Sequence, residues 1–157
     1  MKNKHFSIPV LFVAACLAAP IACWAQSAGQ PTIVTPDEIK WSDFPLLPGA
    51  QIAVIEGKMD RKGPITASIK LPADIKVPPH WHPGLERVTV LSGKFNYGMG
   101  DKMDPEQSRA LTPGSFIVMP PRMHHFAWTK EETVLQLNVT GPWGIVFVNP
   151  ADDPRKK

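Results

Sequence analysis

Beyond Gln51 the chain alternates apolar and polar residues with a period of two. Ile65, Ala67, Ile69 and Leu71 alternate with Thr66, Ser68 and Lys70, the pattern of a strand with one face buried. Glu86, Val88 and Val90 alternate with Arg87, Thr89 and Leu91. Ser92-Gly93 then turns the chain into Phe95, Tyr97 and Met99, which alternate with Lys94, Asn96 and Gly98. The same reasoning predicts strands over 51–56, 115–119, 125–129, 133–139 and 143–149, with a short one near Ala110-Leu111 inside a polar loop from Gly100 to Gly114. Asp37 to Phe44 predicts a short strand or a turn of helix, and Pro45 to Gly49 a loop.

Beyond the first 25 residues, no stretch sustains an amphipathic helical period. The 18 prolines cut the sequence into short pieces, because proline lacks the backbone donor that a helix interior needs. Many short strands between Gly/Pro turns predict an all-β fold, an antiparallel barrel or a two-sheet sandwich with little or no helix. There is no internal repeat and no phosphate-cradling glycine loop.

The N-terminus reads differently. Lys2 and Lys4 precede an uncharged run from Phe6 to Ala25, and small residues Cys23 and Ala25 stand before Gln26. This predicts a cleaved secretory signal over 1–25 and a periplasmic or secreted protein. An uncleaved anchor and a lipoprotein signal at Cys16 are the rival readings. Pro9, Pro20 and the small-residue exit favour cleavage, so no stable membrane insertion is expected afterwards. Residues 26–50 follow as an arm or linker with a possible edge strand, 51–150 as the barrel and 151–157 as a charged tail expected to fray.

Cleavage changes the composition. Both cysteines, Cys16 and Cys23, lie in the signal, so the remainder has no disulfide and no thiolate ligand. Lys2 and Lys4 also go, which takes the formal charge from 17 − 14 = +3 to 15 − 14 = +1. Nothing in that balance points to a nucleic-acid partner.

The candidate chemistry centres on His80 to Gly93. His80 and His82 are two apart and share one face of a strand, with Trp81 on the other. A turn through Pro83-Gly84 can return Glu86 to the same place. Two imidazoles and a carboxylate suit a divalent transition metal. The remaining histidines beyond the signal are His124 and His125, about forty residues on. Strand parity lets only one of these two point inward.

These residues carry a resemblance. The spacing His80-x-His82, Glu86, Gly93 is similar to the first cupin motif, and Gly114, Pro120 and His125 stand in the order and spacing of the second. The chain therefore resembles a small single-domain cupin of the RmlC-like type. The resemblance implies a jelly-roll barrel holding one divalent metal (Fe, Mn, Zn, Ni or Cu) on His80, His82, Glu86 and His125. Three positions depart from the motifs: Asp74 and Arg122 replace glycines, and Thr129 replaces asparagine.

Other residues are candidates for the same site. Glu86 can serve as a proton acceptor, and Tyr97 (the single tyrosine) as a proton donor or as core packing. Arg122 can pair with a carboxylate substrate. Gln136 and Asn138 can line the cavity or face solvent. His124 is expected to point outward. The resemblance implies an oxygenase or lyase acting on a small oxygen-rich or carboxylated molecule, or a non-enzymatic small-ligand-binding protein of the cell envelope. It also implies a homodimer.

Overall fold

The computed structural model describes residues 30–156. The signal segment expected over 1–25 lies outside the described residues. Among the described residues eleven strands run in chain order: β1 (Ser42–Asp43), β2 (Gln51–Glu56), β3 (Gly63–Leu71), β4 (Lys76–Trp81), β5 (Glu86–Ser92), β6 (Phe95–Met99), β7 (Arg109–Leu111), β8 (Phe116–Met119), β9 (His125–Thr129), β10 (Thr133–Gly141) and β11 (Val146–Phe147). They form two antiparallel sheets, ordered β1-β2-β3-β10-β5-β8 and β11-β4-β9-β6-β7. This is the expected all-β jelly roll. Among the described residues the helical elements are three short 3-10 turns.

The alternation read from the sequence sets the register. Leu135, Leu137 and Val139 of β10 pair with Ile69, Ala67 and Ile65 of β3 on one side. On the other side Leu135, Leu137 and Val139 meet Val90, Val88 and Glu86 of β5. All of the apolar members of this set are buried, so the inner face of the six-stranded sheet is a continuous apolar floor. Among the described residues Glu86 is the one charged side chain on it, and is 4 % exposed.

Gly93 and Gly98 are among the glycines required by close approach. Gly93 takes φ +74°, and a Cβ there would stand 2.3 Å from the carbonyl oxygen of Glu132. At Gly98 a Cβ would fall 2.2 Å from the ring of Phe126, which is completely buried on the outward side of β9. The loop after β6 lies beside that outer face: Ser108 Oγ accepts the Trp128 indole N–H (3.1 Å) and Asp101 pairs with His124.

Three expectations need correction. The strand over 143–149 shrinks to Val146–Phe147; β10 instead runs on to Gly141, and Trp143 to Ile145 leave the ladder. Residues 44–50 are not linker. Three backbone bonds fold them on themselves (Phe44 N–H to Ala50 O, Leu47 N–H to Phe44 O, Ala50 N–H to Leu47 O), and Phe44, Leu47 and Ala50 are buried in the core. The charged tail makes two 3-10 turns rather than fraying. Arg155 grips Asp153 through Nε and Nη2, each at 2.8 Å, and reaches Ile145 O.

Candidate metal centre

The site is assembled where strand ends meet. His80 lies in β4 directly opposite His125, the first residue of β9. Regular alternation along β4 would put Val77 and His80 on opposite faces. A register shift between them, at Pro78-Pro79, turns both inward. His82 follows one residue beyond β4, and its carbonyl accepts the backbone N–H of Arg122 at 2.9 Å. The Pro83-Gly84 turn then delivers Glu86 as the first residue of β5.

The three imidazoles face one another. Ring centroids are 4.2 Å apart for His80–His125, 5.0 Å for His80–His82 and 5.2 Å for His82–His125. One nitrogen from each lies within 4.8 Å of the other two, and all three residues are buried.

Hydrogen bonding fixes which nitrogen that is. Nδ1 of His80 lies 2.7 Å from Pro78 O, Nδ1 of His82 2.9 Å from Gly144 O and Nδ1 of His125 3.0 Å from Met123 O. A carbonyl oxygen only accepts, so each Nδ1 carries the proton and each Nε2 keeps its lone pair. Glu86 Oε2 is 2.8 Å from Nε2 of His82 and has no hydrogen-bond donor. Two acceptors at that distance need a cation between or beside them. A single proton satisfies that pair and leaves the other two Nε2 lone pairs unused. A divalent metal fits the three histidine nitrogens, which lie within 4.8 Å of one another, and Glu86 stands beside them against His82, where the motifs imply a fourth ligand.

The electrostatics agree. Burial, with the neighbouring His125 and His82, holds the His80 pKa well below 6.5. Burial also lowers His125. Both are therefore neutral near pH 7, the form that binds metal.

The histidines and Glu86 form part of the wall of a cavity of about 50 Å³. Its other walls are apolar: Leu71, Val77, Val88, Leu135 and Leu137 are among them. Phe44 and Leu47 add to it from the folded 44–50 segment, and Trp143 from the segment that left the ladder. The Trp143 indole stacks on His82 at 5.0 Å with a 16° interplanar angle and packs on Phe44 at 6.3 Å. Its backbone N–H donates to Met59 O at 2.9 Å.

The other sequence candidates are placed elsewhere. Gln136 and Asn138 occupy the outward face of β10, because Leu135, Leu137 and Val139 take the inner one; Asn138 Oδ1 accepts from Thr66 Oγ1 at 3.2 Å. Arg122 is exposed, with its guanidinium 5.9 Å from the Trp81 ring centroid on the face away from the histidines. None of the three borders the cavity. Tyr97 shares the inner face with Phe95 and packs its ring 5.5 Å from His125, but it borders a surface groove with Met99, Arg109 and Phe116 instead. Burial and the Glu86 charge push its hydroxyl up to about 12. His124 points outward and meets Asp101 at 2.5 Å.

The departures from the motifs have a backbone meaning. Asp74 and Arg122 stand where the motifs have glycine, and both keep the left-handed conformation, at φ +58° and +63°. Thr129, in place of asparagine, is buried and donates its hydroxyl to Pro72 O at 2.6 Å. The residues missed from sequence are Phe44, Leu47 and Trp143. Each stands in a short loop rich in proline and glycine, where no period marks a buried face.

A family model described as "ChrR Cupin-like domain" matches residues 29–144. No curated protein matches the sequence. Solved structures share the fold. An RmlC-like cupin from Shewanella frigidimarina is 14 % identical with a TM-score of 0.56, over 71 % of this chain and 91 % of its own. The polyketide cyclase RemF from Streptomyces resistomycificus is 16 % identical at a TM-score of 0.64, over 81 % and 92 %. The DMSP lyase DddQ from Ruegeria pomeroyi is 18 % identical at a TM-score of 0.53, over 67 % and 57 %.

Proposed function

The chain belongs to the ChrR cupin-like domain family, and on that premise we propose that it is a metal-dependent enzyme, an oxygenase or lyase, acting on a small oxygen-rich or carboxylated molecule. One observation carries the reading: three buried imidazoles converge within 4.8 Å in an apolar cavity whose wall also holds Glu86, its Oε2 2.8 Å from His82. A divalent metal held there supplies a Lewis acid for an oxygen of the bound molecule.

The chain's own residues do the rest. The three Nδ1–H bonds to main-chain carbonyls hold the imidazoles in one tautomer and one orientation. Glu86 is the one carboxylate in the cavity wall among the described residues; it would either stay a ligand or swing off to take a proton from the substrate. The apolar walls exclude water, which strengthens each charge interaction inside. Among the fold neighbours, RemF is a polyketide cyclase and DddQ a DMSP lyase, so this architecture supports chemistry on small organic molecules elsewhere.

Tyr97 favours a second reading, a non-enzymatic small-ligand-binding cupin. Tyr97 is not part of the cavity wall; it lines the outer groove instead. One experiment separates the two. Elemental analysis of chain exported by a native-like host, beside a His80→Ala/His125→Ala control, reads the metal. About one metal per chain, absent from the control, supports both readings. Oxygen uptake or decarboxylation with a panel of catechols, keto acids and oxalate then supports the enzyme, and an organic ligand released unchanged supports the binding protein. Folded wild type without metal would overturn the enzyme reading and leave the binding protein. The basic and apolar start of the chain supports export to the periplasm or medium. N-terminal sequencing of exported protein checks this, with Gln26 expected first.

A further inference from the structure

The cavity has an unequal supply of hydrogen-bonding groups. Its acceptors are the histidine Nε2 atoms and Glu86, all of which a metal would engage. One polar donor remains among the described lining side chains, the indole N–H of Trp143. That nitrogen is buried and has no hydrogen-bond partner among the described residues. An unpaired buried donor is costly, and a donor kept in that state beside a ligand site is a donor kept for the ligand.

We propose that the Trp143 N–H donates to an oxygen of a small carboxylate anion bound at the histidine cluster. This rests on the metal reading above. Charge supports the anion. Three neutral imidazoles, one carboxylate and a divalent cation sum to +1 in an apolar enclosure, and a monoanion brings that sum to zero. Size restricts the class. A cavity of about 50 Å³ holds a group of a few heavy atoms, so short carboxylates, or the carboxylate end of a larger acid, are the ligands that fit.

The placement of Trp143 suits this role. Its ring stacks on the ligand-bearing His82, and the next residue, Gly144, accepts the His82 Nδ1–H through its carbonyl. One short segment thus orients the histidine and presents the donor. The indole nitrogen is sealed in the resting structure, so the ring must shift as the anion enters.

The test uses the full chain loaded with Co²⁺, whose visible spectrum reports ligands reaching the metal. Formate and acetate are titrated into wild type and Trp143→Phe, a variant that keeps an aromatic ring and loses the donor. The expected result is the same Co²⁺ content in both and an acetate Kd raised about 10- to 100-fold in the variant, the range for one hydrogen bond to a charged group. A second measurement needs no variant. In Zn²⁺-loaded wild type the Trp143 indole N–H resonance, assigned through its contacts to the His82 and Phe44 rings, should move downfield with the same Kd. Equal affinities, an unmoved indole resonance, or a wild-type spectrum blind to both anions would overturn the proposal and leave the metal reading standing. A wild type that binds no Co²⁺ would overturn both.

Discussion

Glu86→Gln should make the metal-free protein more stable and the metal-loaded protein less so. In the metal-free wild type, Glu86 Oε2 faces the lone pair of His82 Nε2 at 2.8 Å, in a residue 4 % exposed. An unsatisfied buried acceptor costs about 1–3 kcal/mol, and an ionised one more. A glutamine fills the same space, and its amide N–H can donate to the His82 lone pair, a bond of about 0.5–1.5 kcal/mol. The expected gain is about 2 kcal/mol, or roughly 6–10 °C in Tm for a domain of this size. The same change removes the charged ligand and should weaken metal binding about 100-fold or more. Saturating metal therefore reverses the order, because a ligand at about 1,000 times its Kd adds roughly 4 kcal/mol to the form that binds it. Urea unfolding in chelator and then in excess Zn²⁺ reads both halves. The chelator series isolates the metal-free comparison. A variant no more stable than wild type there would refute the opposed-acceptor geometry, and one that binds Zn²⁺ as tightly would remove Glu86 from the ligand set.

Three further outcomes are expected. In chelator, stability should be full above about pH 6.5 and decline below it, because His80 and His125 hold lowered pKa values when folded and the unfolded chain takes up protons first. The slope reaches about 1.4 kcal/mol per pH unit for each histidine, and a flat urea midpoint between about pH 7 and pH 5 would contradict it. Gly98→Ala should cost about 1–3 kcal/mol through the clash with Phe126, read as a lower urea midpoint at unchanged slope and partly restored by Phe126→Leu. Arg122→Gly should keep metal and ligand affinity and leave stability within about 1 kcal/mol, since the left-handed backbone suits glycine and the side chain stands outside the cavity. A loss of acetate binding in that variant would return Arg122 to the site.

The alternating strands were readable because each has one dry face. Glu86, Val88 and Val90 all point inward as their spacing requires, and so do Leu135, Leu137 and Val139. The histidine pairing was readable because spacing two on a strand allows a single geometry. What escaped has no period. The register shift at Pro78-Pro79 breaks the rule that would place Val77 and His80 on opposite faces, and the prolines hide the strand itself. Gln136 and Asn138 show the reverse limit: alternation says that they share a face, and the floor built by β3 and β5 decides which one. Trp143, Phe44 and Leu47 reach the cavity through loops, where the packing that selects them is long-range.

The three imidazole Nδ1 protons all go to main-chain carbonyls, those of Pro78, Gly144 and Met123. Where a carboxylate side chain orients a ligand, one codon change abolishes the orientation. Here no substitution outside the ligands themselves can delete the acceptor, because every residue carries a carbonyl. The site is accordingly robust to mutation of its surroundings. Libraries that randomise the apolar wall at Leu71, Val88 or Leu135 should redirect ligand choice while the imidazoles keep their aim, which makes this barrel a tolerant scaffold for new selectivity.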